Sequence, residues 1–112
     1  MDFPPDLMDI GHVALGYVQA LRDFLKVPVT ITSGYRSPSY NASIGSGKNS
    51  YHVWRKEKGS IIWAVDILSP QMPLDELFIK TSLFVNGEVY QHKRLKFVHL
   101  APVGTDEQWI QS

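Results

Sequence analysis

A nearly continuous apolar segment at residues 61–67 carries one carboxylate in its interior, Asp66. Short apolar runs of this kind, with polar residues before them, are typical of a buried strand. A carboxylate is costly to bury unless it is paired or bound to a metal. Asp66 is therefore expected at the exposed end of the strand, in an ion pair with a cation such as Arg36, or in a metal site.

Two histidines are further candidates for a metal site. His99 lies in the apolar segment Phe97-Val98-His99-Leu100, and His52 follows a loop rich in Ser, Gly and Asn. Each alone is compatible with an ordinary role, His99 in the core and His52 at the surface. Together with Asp66 they would leave a fourth tetrahedral position open, which is the composition of a catalytic rather than a structural zinc site.

Composition excludes several classes of function. The 112 residues include no cysteine, so any metal must be held by His, Asp or Glu. The 11 basic residues balance the 11 acidic ones, which argues against binding to nucleic acid. No apolar run reaches the roughly 18 residues that a membrane span requires. The start, Met1-Asp2-Phe3-Pro4-Pro5-Asp6, is unlike a signal peptide.

The order of predicted elements indicates a small α+β domain over residues 1–112, with a mainly antiparallel sheet packed against helices. Asp6 can cap a first helix whose apolar residues recur at three- and four-residue steps as far as Leu25. Pro73 suits the start of a second helix. Strands are predicted at residues 29–32, 61–67, 88–90 and 96–100, and a long loop at residues 33–50.

Four short motifs occur in one order along the chain. They are Ile31-Thr32-Ser33-Gly34-Tyr35-Arg36-Ser37-Pro38, then Ser50-Tyr51-His52, then Ala64-Val65-Asp66-Ile67, then Phe97-Val98-His99. This order resembles the M15 family of zinc peptidases over residues 29–100. That family includes D-alanyl-D-alanine carboxypeptidases, D-Ala-D-Ala dipeptidases and phage L-alanyl-D-glutamate endolysins. The resemblance implies a hedgehog/DD-peptidase-like fold and Zn²⁺ as the cofactor.

The resemblance also implies roles for individual residues. His52, Asp66 and His99 would be the zinc ligands. Arg36 would polarise the scissile carbonyl or hold a substrate carboxylate, because a guanidinium donates paired hydrogen bonds and stays charged when partly buried. A structural ion pair with the Asp66 region is the alternative role for Arg36.

The chain departs from the family pattern at three places. Residues 53–60 lengthen the stretch between His52 and Asp66, which an inserted hairpin would accommodate. Lys96 stands where the best-known members carry an acidic general base, so Glu88, His92 or Glu57 would have to replace it. Ala101 stands where a carboxylate that orients a ligand is often found.

The resemblance implies a zinc peptidase that hydrolyses D-Ala-D-Ala or L-Ala-D-Glu bonds in peptidoglycan stem peptides. Without a signal peptide, we expect a phage-type protein that acts from the host cytoplasm or within a virion, with virion proteins as possible partners. The alternative is a non-catalytic M15-fold protein with a structural or wall-binding role in a phage, which Lys96 and Ala101 favour. A third hypothesis is an unrelated α+β domain in which the pattern of histidines is coincidental.

Overall fold

The structure is a computed structural model that describes residues 8–35, 44, 50–57 and 60–103. These residues contain two helices and six strands. In chain order they are α1 (Met8–Leu25), β1 (Thr30–Ser33), β2 (Arg55–Glu57), β3 (Ser60–Ile62), β4 (Val65–Leu68), α2 (Leu74–Phe84), β5 (Gly87–His92) and β6 (Phe97–Pro102). Most of the loop predicted at residues 33–50 lies outside the described residues, as does Asp6.

The first helix buries the face that its apolar spacing predicts. Its buried residues are Ile10, Val13, Ala14, Tyr17, Val18, Leu21 and Leu25. The second helix begins after Pro73, carries Asp75 and Glu76 in its first turn, and buries Leu77 and Thr81. Carboxylates in a first turn are favourable because they face the positive end of the helix dipole.

Four strands form one antiparallel sheet in the order β1-β4-β6-β5. Val65 pairs with Leu100 and Ile67 with Val98 across β4 and β6. All four of these side chains are buried in the same hydrophobic core as the inner face of α1. Side chains alternate between the two faces of a strand, so Asp66 and His99, the middle residues of these two segments, point away from that core. The predicted α+β fold with a mainly antiparallel sheet is confirmed.

The segment predicted as one strand at residues 61–67 is two strands in two sheets, so that prediction was wrong in its extent. β3 ends at Ile62 and pairs with β2 in a separate hairpin, and β4 begins at Val65. The chain crosses between the sheets at Trp63 and Ala64, both fully buried. The Trp63 ring packs edge-on against Tyr17 of α1, with 5.4 Å between the ring centroids. Core packing of this ring therefore replaces strand pairing at the crossing.

The hairpin of β2 and β3 lies between His52 and Asp66, as the inserted residues predicted. Trp54 precedes it, and its indole N–H donates to the Ala64 carbonyl oxygen at 3.1 Å. This bond ties the start of the hairpin to the residue before β4. Within the described residues, no helix combines the length and apolar character that crossing a membrane requires.

Candidate metal centre

Asp66 and His99 lie directly opposite each other on β4 and β6. They occupy the sheet face that points away from the helices, because each lies between two residues of the helix-facing core. His99 Nδ1 is 3.0 Å from Asp66 Oδ1. Strand register therefore brings together a carboxylate and an imidazole that are distant in sequence.

His52 completes the group from the turn that precedes the hairpin. Its Nε2 lies 3.1 Å from the same Asp66 oxygen, Oδ1, and its backbone N–H donates to Ser50 Oγ. His52, Asp66 and His99 are each only 3% exposed. The three residues thus form one buried cluster, with candidate ligand atoms that all lie within 4.8 Å of one another.

A hydrogen bond on the far side of the His52 ring fixes which nitrogen faces the cluster. His52 Nδ1 lies 2.8 Å from the backbone oxygen of Gly34, which directly follows β1. A carbonyl oxygen only accepts, so Nδ1 is the donor in this bond. A neutral His52 then carries its lone pair on Nε2, the atom that faces Asp66.

In the His99 ring, the nitrogen that faces away from Asp66 is Nε2 rather than Nδ1. Its Nε2 lies 2.6 Å from Glu88 Oε1 on β5. An ionised carboxylate only accepts, so Nε2 donates to Glu88. A neutral His99 then carries its lone pair on Nδ1, the atom that faces Asp66.

With both rings neutral, the facing atoms His52 Nε2, His99 Nδ1 and Asp66 Oδ1 are all acceptors and lack a proton between them. A divalent cation at this point would be bound by all three atoms at once. Tetrahedral zinc with bonds of about 2.0–2.2 Å needs ligand atoms roughly 3.3–3.6 Å apart. The observed separations of 3.1 and 3.0 Å from Asp66 Oδ1 are close to that spacing. The donor set and its geometry therefore fit a metal ion.

Asp66 stays ionised in this setting. Burial is the largest single influence on its carboxyl group and raises the pKa. In the metal-free protein with both rings protonated, hydrogen bonds and charge from His52 and His99 together outweigh burial and lower the pKa of Asp66 from 3.8 to about 2. A charged carboxylate is the form that a metal site needs.

The other predicted site residues differ in their placement. Arg36 and the side chain of Glu57 lie outside the described residues. Glu88 contacts His99, whereas the His92 ring stacks on Phe97, with 4.9 Å between ring centroids, and its Nδ1 accepts the Leu95 N–H. Lys96 is exposed in the turn between β5 and β6.

Two residues at the site were missed by the sequence analysis. The Gly34 carbonyl that orients His52 is a backbone group, and no side-chain pattern marks it. Tyr90 pairs with His99 across β5 and β6, and its ring stacks on the imidazole at 4.4 Å with 13° between the planes. The alternation of β5 places Tyr90 on the same face as Glu88, which is a signal that could have found it.

An apolar cavity of about 290 Å³ lies elsewhere in the molecule. It is lined by α1 residues including Ala14 and Leu15, and by Val65 from the sheet. Val65 belongs to the core beneath α1, whereas its neighbour Asp66 points to the opposite face. The cavity and the histidine cluster therefore lie on opposite faces of the sheet, and Gly34 adjoins both.

A family model described as Peptidase M15 matches residues 6–101, a span that contains all three residues of the cluster. Comparison with curated proteins and with solved structures gave no match. M15 peptidases are typically metal-dependent, and the buried His52–Asp66–His99 cluster is suited to hold such a metal. The match spans most of the chain, and the chain therefore belongs to the M15 peptidase family.

Proposed function

We propose that this protein is a zinc-dependent peptidase that cleaves D-Ala-D-Ala or L-Ala-D-Glu bonds in peptidoglycan stem peptides. The observation that carries the proposal is the convergence of His52 Nε2, Asp66 Oδ1 and His99 Nδ1 in a member of the M15 family. The substrate class follows from the family, in which peptidases of the bacterial wall are well represented. Phage origin and virion partners stay predictions.

Zinc is the metal that the donor set favours. Two imidazole nitrogens and one carboxylate oxygen suit zinc, whereas magnesium and calcium prefer sites built from oxygen atoms. Three protein ligands leave a fourth position for water or substrate. When bound, zinc would polarise the scissile carbonyl and activate a water for attack.

The residues of the chain supply orientation and charge around that reaction. Asp66 contributes the one negative charge inside the buried cluster, and the two rings are held by Gly34 and Glu88. Arg36 is proposed to stabilise the developing oxyanion or to hold a substrate carboxylate. Glu88, His92 and Glu57 are the acceptors that the sequence offers for the proton of the water, and of the two whose side chains the structure describes, only Glu88 contacts the cluster.

Metal analysis is the first test. Protein purified without chelator is expected to carry about one zinc per chain, and His99→Ala is expected to carry far less. His12→Ala is the matched control, because His12 is an exposed histidine on α1. A protein that takes up no zinc even after reconstitution would rule out the proposed function.

Cleavage is the second test. Zinc-loaded protein is incubated with purified peptidoglycan, with a peptide ending in D-Ala-D-Ala, and with a peptide containing L-Ala-D-Glu. New amino groups and product masses identify the bond that is cut. Release should disappear in His99→Ala and persist in His12→Ala.

A non-catalytic wall-binding protein is the second candidate function. Lys96 and Ala101, which stand where the family pattern often has carboxylates, favour it. In that case the zinc-loaded protein would sediment with purified peptidoglycan but release no amino groups from any of the three substrates. The cleavage assay and sedimentation with peptidoglycan together therefore separate the candidates.

A further inference from the structure

We infer that Glu88 is a positioning residue, which holds His99 in the tautomer and orientation that a metal ion needs, rather than the general base. This inference rests on the proposed metal site. It changes the role predicted for Glu88 from the sequence, where it was a candidate to accept the proton of the attacking water.

The first argument is the position of the Glu88 carboxylate. Glu88 Oε1 lies 2.6 Å from His99 Nε2, whereas the opposite ring nitrogen, Nδ1, faces Asp66. The imidazole ring therefore stands between this carboxylate oxygen and the point where the three ligand atoms converge. A general base must come within about 2.6–3.2 Å of the proton-bearing atom, or act through one water. The ring blocks the direct approach from this side.

The second argument is the strand register. Glu88 pairs with Ala101, and Tyr90 pairs with His99. Glu88 is thus the diagonal neighbour of His99, within reach of a long side chain across an antiparallel pair. Ala101 directly opposite is small, which leaves the Glu88 side chain free to lean toward the imidazole.

The third argument is that Glu88 and Tyr90 restrict the ring in complementary ways. Tyr90 lies flat against the imidazole face, with 4.4 Å between ring centroids, and so limits tilting of the ring. Glu88 accepts from the ring edge and limits rotation about the bond to Cβ. A carboxylate behind a metal-binding histidine also fixes the tautomer and makes the free nitrogen a stronger ligand.

Zinc affinity tests this role without requiring catalysis. Competition with a chelating dye is used to compare the intact protein with Glu88→Ala and Glu88→Gln. Loss of a carboxylate behind a ligating histidine typically weakens metal binding by about 10- to 100-fold, which is the expectation for Glu88→Ala. The amide oxygen of Glu88→Gln can still accept from Nε2, so its loss should be smaller, less than about tenfold.

Glu76→Ala is the matched control. Glu76 is another half-exposed glutamate, 46% exposed against 51% for Glu88, and its carboxylate pairs with Lys80 on α2. Its substitution should leave zinc affinity unchanged. Circular dichroism of each variant establishes that it is folded, and affinity is compared among the folded variants.

The outcomes distinguish this inference from the proposed function. If the unmodified protein binds no zinc, the proposed function and the inference fail together. If it binds zinc and the Glu88 variants bind equally well, only the inference is overturned. Cleavage lost completely in Glu88→Gln at unchanged zinc affinity would instead identify Glu88 as the general base.

Discussion

His52 and His99 present different ring nitrogens to the same oxygen of Asp66, Nε2 at 3.1 Å and Nδ1 at 3.0 Å. Because the remaining nitrogens donate to Gly34 and Glu88, the two rings should be opposite tautomers in the zinc-loaded protein. Long-range proton–nitrogen NMR is expected to find the proton on Nδ1 of His52 and on Nε2 of His99. Finding the same tautomer in both rings would contradict this arrangement.

Zinc should stabilise the folded protein, because the three ligands come from separate parts of the chain and meet only when it is folded. Free zinc about a hundredfold above the dissociation constant would raise the free energy of unfolding by about 2.7 kcal/mol. Denaturant titrations with zinc and with chelator measure the difference. His99→Ala should lose the zinc-dependent gain, whereas His12→Ala should retain it. An equal gain in His99→Ala would exclude His99 as a ligand.

Tyr17 should make the protein sensitive to alkaline pH. Burial raises the pKa of its phenol from 10.0 to about 12. The unfolded chain therefore loses this proton first, so the stability contribution is complete below pH 10 and is lost as the pH rises to about 12. The loss should be roughly 2–3 kcal/mol. Denaturant titrations at several pH values in this range give the free energy of unfolding at each pH. Its decrease with rising pH is expected to be smaller in Tyr17→Phe than in the unmodified protein, and an equal decrease would contradict this role.

Gly87 should not tolerate a side chain. Its φ of 149° is disfavoured for other residues, and an added Cβ would lie against the Ala101 carbonyl oxygen and 2.8 Å from the Val103 nitrogen. Gly87→Ala is expected to lower the free energy of unfolding by at least about 1 kcal/mol.

Gly16 on α1 is the matched control for Gly87, because a Cβ there would have no heavy atom within 4 Å. Gly16→Ala should raise stability by about 0.5–1 kcal/mol, since alanine is the better helix former. Thermal or denaturant unfolding of the two variants should give changes of opposite sign. A stabilising Gly87→Ala would show that the start of β5 adapts to a side chain.

Thr81 buries a hydroxyl in α2 that has no hydrogen-bond partner within the described part of the chain. An unsatisfied buried polar group costs about 1–3 kcal/mol. Thr81→Val should therefore raise the free energy of unfolding, by on the order of 1 kcal/mol. Thr81→Ser is the comparison, because it keeps the hydroxyl and removes the methyl group, and it should be destabilising. A destabilising Thr81→Val would mean that the hydroxyl has a partner.

Alternation within each strand made the orientation of Asp66 and His99 predictable. Asp66 lies between Val65 and Ile67, and His99 lies between Val98 and Leu100, so each polar side chain had to point away from an apolar face. Which two strands are neighbours is set by long-range packing, and it was available from the sequence only through the family resemblance.

Other features of the site and fold had no usable signal. Every residue type has a backbone carbonyl, so the bond between His52 and the carbonyl of Gly34 could not be predicted from the pattern of side chains. The break at Trp63 and Ala64 falls within a uniformly apolar run, where periodicity cannot show that the chain changes sheets. The helix boundaries were better predicted, because apolar spacing and Pro73 are local signals.

The order of the strands divides the site between the interior and one edge of the described sheet. Asp66 and His99 lie on β4 and β6, the two interior strands, whereas Glu88 lies on β5 at the edge of the sheet. Proteins can open locally at a lower free energy than global unfolding requires. An opening confined to β5 would release the His99 ring from Glu88 and Tyr90 and leave the Asp66–His99 strand pair intact. Such an opening would offer a bound metal a route of exchange that does not require the protein to unfold.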